Sequence, residues 1–276
     1  MKGFADDAAG RFEASANGFG AAVLRPRMRV YRGEFATPAA DRAPTAEMLA
    51  SAAEGVPAVR VTAPPRQVAF GRRDARESGF DRAKRAARDA GFPVVERDVG
   101  GRAVAYTGST LSFGVAVPTG EGRGSIDSRY ETATETLRDA LRGLGADVVR
   151  GEPPESFCPG DHSLRVAGGR EAAGSDAEAE CGGKVAGLAQ RVRADAALVA
   201  GVLVVSAADP EAIAGVTEPV YDALGVPFDP ASVGSVADAG GPDDPDRVAR
   251  AVEAAFVDGP WGDGERRIAR VGGGDA

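Results

Sequence analysis

Ser156-Phe157-Cys158-Pro159-Gly160-Asp161-His162-Ser163-Leu164 and, further on, Gly182-Gly183-Lys184-Val185-Ala186-Gly187-Leu188-Ala189-Gln190-Arg191 are the stretches on which the reading of this chain turns. The first is a Pro-Gly turn that runs into a strand at Leu164-Arg165-Val166, and the second opens its partner strand, Lys184 to Val192, with small residues along one side. Between them, Gly168 to Glu180 is rich in Gly, Ala and acid, the composition of a solvated hairpin loop or disordered insert. Ala196 to Val205 follows as a near-continuous apolar run of strand length, which predicts a central buried strand.

Upstream, residues 1–27 are polar, Gly/Ala-rich and aperiodic, so they are expected to form a poorly ordered extension, with Met28 a natural start. Thr45 to Glu54 predicts a helix capped by Thr45, with Met48, Leu49 and Ala52 on one face. Two short strands, Ala58 to Thr62 and Gln67 to Gly71, flank a turn at Pro64-Pro65. Phe80 to Ala90 predicts an amphipathic helix closed by Gly91. Pro93 to Arg97 is the next strand and runs into the pair Gly100-Gly101. That pair is either an ordinary hairpin turn or a place where backbone approaches a ligand. Thr110 to Val117 predicts a strand and Asp127 to Leu144 a long helix with Leu137, Leu141 and Leu144 inward. Ala146 to Arg150 is a short strand leading into the cysteine turn. Two helices close the chain, Pro210 to Leu224 and Pro245 to Phe256, the second capped by Asp244, with Trp261 pinning its end. Strands and helices mix without a βαβ rhythm, which predicts an α+β fold with a mixed, mostly antiparallel sheet flanked by helices. The main domain is placed at residues 28–258 and a C-terminal tail at 259–276.

The chain of 276 residues carries a formal net charge of −8, which disfavours contact with a phosphate backbone and argues against a nucleic-acid partner. No apolar run approaches the roughly 20 residues of a spanning helix, so no membrane partner is expected. Residues Met1 to Asp7 carry acid where a signal peptide needs basic charge; the expectation is a soluble, cytoplasmic protein. Abundant Asp, Glu and Arg with very few Lys fit a halophilic, salt-adapted source.

The candidate chemistry centres on Cys158. A thiol in a turn is accessible, and a nearby ammonium favours the thiolate, the nucleophilic form. Lys184 stands out because the chain otherwise uses arginine; Lys2, Lys84 and Lys184 are its only lysines. His162, the single histidine, is a candidate base for Cys158 or, more simply, a hydrogen bond that closes the turn. Cys158, His162 and Cys181 make three zinc ligands without a fourth, so no metal is expected. The Gly-Lys pair fails the phosphate-loop fingerprint because Val185 follows the lysine.

Three segments in order resemble the biotin/lipoate protein ligase family: Val68 to Asp74, Val94 to Val104, and Gly183 to Arg191. Within it, Ser156-Phe157-Cys158-Pro159-Gly160 is similar to the branch of cysteine-dependent octanoyltransferases that take octanoyl groups from the glycine-cleavage H protein. The resemblance implies the family's α+β catalytic fold and an octanoyl or lipoyl transferase acting on lipoyl-domain proteins, namely the H protein and the E2 subunits of 2-oxoacid dehydrogenases. It implies Cys158 as the nucleophile and Lys184 as a contact to the acyl carbonyl or an activator of the thiol. Arg97, Gly100, Gly101, Arg102, Ala103, Ala186, Gly187 and Ala189 would line the acyl tunnel. Tyr106 to Ser112 stands where ligases commonly carry a polar His-Asp segment, which argues against adenylate formation, and Arg102 replaces a family glycine. No cofactor is then required. An ATP- and Mg-dependent lipoate ligase, and a non-catalytic binder of lipoyl domains or fatty acid, remain the alternatives.

Overall fold

A computed structural model describes residues 27–97, 101–120, 124–168 and 182–272. The expected N-terminal extension, the acidic insert after Gly168, Gly100 and Cys181 lie outside the described residues, apart from Arg27 at the end of the extension.

The strands of the larger sheet, in chain order, are β1 (Met28–Arg32), β2 (Ala58–Thr62), β6 (Leu111–Pro118), β7 (Val148–Arg150), β8 (Ser163–Val166), β9 (Lys184–Val192), β10 (Ala196–Leu203) and β11 (Arg266–Arg270). They lie side by side as β11-β1-β2-β6-β10-β9-β8-β7. All pairings are antiparallel except β1 with β2 and β1 with β11. A smaller sheet places β3 (Gln67–Phe70) between β4 (Val94–Glu96) and β5 (Val104–Tyr106). The chain is thus α+β with a mostly antiparallel sheet, as the lack of a βαβ rhythm predicts.

β10 shows why the sheet takes this form. Its Ala197, Val199 and Leu203 join one core with Leu137 and Leu141 of α4 (Ile126–Gly143) and Val248, Val252 and Phe256 of α6 (Pro245–Asp258). Ala196 and Leu198 face the other way, against Met48, Leu49 and Ala52 of α2 (Pro44–Ala53). A strand covered on both faces has no use for polar residues, hence its apolar run. A further core lies between the smaller sheet and two helices, α3 (Phe80–Asp89) and α5 (Asp209–Leu224). Asp244 caps α6 through Arg247 N at 3.0 Å, and Trp261 stacks on Phe256 with ring centroids 6.4 Å apart.

Several expectations are corrected. α2 begins one residue earlier, with Pro44 at its start and no side-chain cap, so Thr45 lies inside the helix. Proline needs no N–H partner and its fixed φ suits the first turn. Pro64-Pro65 does lie between the two strands, and it carries the chain from one sheet to the other. The glycine turn is not a hairpin turn: β4 pairs parallel and β5 antiparallel with the intervening β3. β11 draws Arg266–Arg270, placed in the tail by sequence, into the sheet beside β1. α1 (Pro38–Asp41) has no counterpart in the sequence reading.

Candidate active site

The turn after β7 holds the two non-glycine residues with positive φ among the described residues, Glu155 (φ 49°) and Cys158 (φ 44°). A left-handed L-residue costs about 1–2 kcal/mol, so the surroundings must hold it there. Cys158 N donates to Tyr221 Oη at 2.6 Å, and that hydroxyl donates to Ala103 O at 3.0 Å. Lys184 Nζ donates to Phe157 O and Cys158 O, both at 3.0 Å, and to Glu152 Oε1 at 2.9 Å. Ser156 Oγ also donates to Glu152. Lys184 is 0% exposed, its ammonium 5.1 Å from the centre of the Phe157 ring. An ammonium has three protons, and all three are placed on acceptors, the condition for burying a charge. Burial, and next the charge of Cys158, push the Tyr221 phenol well above its usual range, so it stays protonated and keeps its bond to Ala103 O.

The glycine turn approaches the sulfur from the opposite side. Arg97 Nη2 donates to Arg102 O at 2.6 Å and to Cys158 Sγ at 3.5 Å. Gly101 has φ +98°, and a Cβ there would stand 2.5 Å from Cys158 Sγ and 3.0 Å from Arg97 Nη2. Glycine is therefore needed twice, for the backbone angle and for the space. Arg102 turns away to Glu77 at 2.8 Å and Asp74 at 3.4 Å. Asp74 accepts from Gly71 N at 2.8 Å. Burial raises the Asp74 carboxyl above its usual range, against the opposing pull of the Gly71 N–H and of Arg102.

Cys158 opens on a cavity of about 1010 Å³ between the two sheets. Small residues of β6, β10 and β9 make its floor, among them Ser112, Ala200, Gly201, Gly187 and Ala189. Of the residues expected there, Arg97, Gly101, Gly187 and Ala189 line the cavity with Cys158. Ala186 and Ala103 are buried in the cores, Arg102 is in its ion pairs, and Lys184 sits against the carbonyl side of the turn. Gly100 lies outside the described residues. His162 also lines the cavity, with its ring face to face on Tyr130 at 3.9 Å; among the described residues no hydrogen bond joins it to Sγ. Glu152 and Tyr221 were missed by sequence reasoning. Tyr221 is 63 residues from Cys158 and shares no motif with it, and Glu152 is one of two acids just upstream of Ser156, with nothing local to set it apart from Glu155.

Thr107 and Ser109, between β5 and β6, donate to Asp209 at 2.6 and 2.5 Å. Asp209 also accepts from Ser206 N at 3.0 Å, so these side chains tie the start of α5 to the sheet.

The family model of the lipoyl protein ligase A/B catalytic domain matches residues 41–257. An octanoyl-[GcvH]:protein N-octanoyltransferase of Exiguobacterium sp. is 32% identical over 101 residues, 37% of this chain and 36% of that protein. A lipoyl-[GcvH]:protein N-lipoyltransferase of Listeria monocytogenes is 27% identical over 101 residues, again 37% and 36% of the two chains. The aligned stretch thus spans little more than a third of these relatives. Among solved structures, lipoate-protein ligase A bound with ATP superposes with a TM-score of 0.62 at 20% identity, over 90% of each chain. The bi-partite lipoate protein ligase of Thermoplasma acidophilum, solved in work on an archaeal lipoylation system with its E2 lipoyl domain, gives 0.63 at 20% identity, over 89% and 88%.

Proposed function

The chain belongs to the lipoyl protein ligase A/B catalytic-domain family, and from that premise we propose that it is an acyltransferase that passes an octanoyl or lipoyl group through a Cys158 thioester to a lipoyl-domain lysine. The observation that carries this reading is Cys158 itself, held at positive φ with its sulfur on a cavity floored by glycine and alanine.

The residues divide the work. Gly187, Ala189, Ala200 and Gly201 leave room for an alkyl chain, and each buried CH₂ of that chain contributes about 0.8 kcal/mol. Lys184, Glu152 and Tyr221 position the turn, so that Sγ meets the carbonyl without reorganisation. The sulfur, its proton released to water, adds to the acyl carbonyl of the donor amide; the C–S bond forms, the C–N bond breaks and the donor amine leaves with a proton from water. The acceptor lysine, as free amine, then attacks the thioester; C–N forms with loss of one proton to water, C–S breaks, and Cys158 returns as the thiolate. One amide is exchanged for another, so no nucleotide is consumed. The donor and acceptor we propose are lipoyl-domain proteins, the glycine-cleavage H protein and the E2 subunits of 2-oxoacid dehydrogenases. Soluble partners suit a chain in whose described residues no helix is long and apolar enough to cross a membrane.

Against an ATP-dependent ligase, Lys184 has no proton left for an acyl-adenylate, and Thr107 and Ser109 are committed to Asp209. The test is intact-mass analysis after incubation with octanoylated H protein in the absence of ATP. The expected result is a hydroxylamine-labile octanoyl adduct that Cys158→Ala lacks. No adduct without ATP, with acceptor modification once ATP is added, would overturn the reading.

A further inference from the structure

We infer that Arg97 is the counter-charge of the Cys158 thiolate and that neither Lys184 nor His162 fills that place. The inference deepens the acyl-transfer reading above and rests on it.

Geometry separates Lys184, His162 and Arg97, the basic side chains considered for the sulfur. The Lys184 ammonium spends its protons on Glu152 and on the carbonyls of Phe157 and Cys158, and it does not line the cavity. His162 is stacked on Tyr130. Arg97 alone of the three has a recorded bond to the sulfur, from Nη2 at 3.5 Å, and it lines the same cavity.

Arg97 pulls on the Asp74 carboxyl from a distance but makes no ion pair among the described residues. Arg32, Arg60, Arg102 and Arg150 each pair with a carboxylate; among the described residues none pairs with Arg97. Its other recorded bond goes to a neutral carbonyl, Arg102 O, and its Nε is buried without a partner. A half-buried guanidinium lacking both a counter-ion and one hydrogen bond is unfavourable unless an anion joins it. A thiolate at Cys158 is that anion. Gly101 keeps the two in contact, since a Cβ there would press on both Sγ and Nη2.

Arginine does not give up its proton in this pH range, so Arg97 holds the thiolate without acting as its base. The thiol first releases its proton to water. The thiolate then forms the C–S bond at the acyl carbonyl, the donor C–N bond breaks, and the leaving amine takes a proton from water. In the second half the acceptor amine forms C–N and loses one proton to water, C–S breaks, and the thiolate returns to Arg97.

The test needs no acyl donor at first. Alkylation of Cys158, followed by peptide-resolved mass spectrometry so that Cys181 is counted separately, is expected to slow about tenfold at pH 7 in Arg97→Gln. Anionic iodoacetate is expected to lose more than neutral iodoacetamide. The wild-type protein supplies a readout that does not depend on a variant folding: relative to free cysteine, Cys158 is expected to favour iodoacetate over iodoacetamide. An unchanged Arg97→Gln rate, or a wild-type preference at or below that of free cysteine, would overturn the inference. Thioester formation from octanoylated H protein separates the two levels. If wild type forms the adduct and Arg97→Gln forms it equally fast, Arg97 is not the counter-charge and the transfer reading stands. If no donor yields an adduct while the alkylation differences hold, the pair stands and the transfer reading falls.

Discussion

The two turns that meet at Cys158 Sγ are built on opposite principles. The cysteine turn, residues 152–158, is overdetermined: a strained backbone is held by Tyr221 on its N–H and by Lys184 on two carbonyls. The glycine turn is defined by what it lacks. Position 101 must have no side chain, and the arginine beside it makes no ion pair with a carboxylate among the described residues. One region fixes the nucleophile with side chains, and the other makes room and charge for it by leaving side chains out. Strain stored at a reactive residue requires such surplus bonding around it.

The comparison is broken most severely on the cysteine side. Lys184→Ala leaves two turn carbonyls and the partly exposed Glu152 carboxylate without their partner, a loss of about 3 kcal/mol. Chemical denaturation is expected to show that loss, along with loss of transfer. On the other side, Gly101→Ala is expected to reduce transfer about 100-fold, the cost of moving a reacting atom by an ångström, with a far smaller change in denaturation midpoint.

Tyr221→Phe sharpens the contrast, because it cuts one clamp and leaves the sulfur untouched. It strands Cys158 N–H and Ala103 O, at a cost of about 2 kcal/mol. It also has a pH signature. The folded phenol is pushed up from its usual value, so above about pH 10 the unfolded chain loses this proton while the folded chain keeps it. Stability from this group is full below that pH and declines above it by about 1.4 kcal/mol per unit, until the folded phenol titrates. The variant is expected to show a shallower alkaline decline in melting temperature, the remainder coming from groups such as the half-buried Tyr106, also raised by desolvation. The smallest effect is Glu155→Gly. It relieves one exposed left-handed residue and is expected to raise stability by about 0.5 kcal/mol, with transfer unchanged.

Local pattern was legible where the period of the chain matched its burial. Lys184–Val192, read as a strand with small residues along one side, appears with those bounds, and the apolar run from Ala196 is the strand covered on both faces. The cap of α2 was misread because Thr45 is a good N-cap type, yet Pro44 already fits the first turn. Pairing was not legible at the glycine turn, since nothing local says that β3 inserts between the strands on either side. In the site, Cys158 and Gly101 were readable as residue types suited to a tight turn. Lys184 stands out in the sequence for its rarity and Arg97 only as a lining residue, because which cation faces the sulfur depends on tertiary packing. Tyr221 arrives from a distant helix and leaves no trace near the motif.

In the proposed reaction Cys158 carries the acyl group between two proteins. The most direct test isolates the octanoyl-loaded protein, free of donor, and mixes it with an unmodified lipoyl domain without nucleotide. The account predicts that octanoyl appears as an amide on the acceptor lysine at the rate at which it leaves Cys158. An adduct that stays on Cys158 while the acceptor remains bare, or acceptor modification by Cys158→Ala once ATP is supplied, would contradict it.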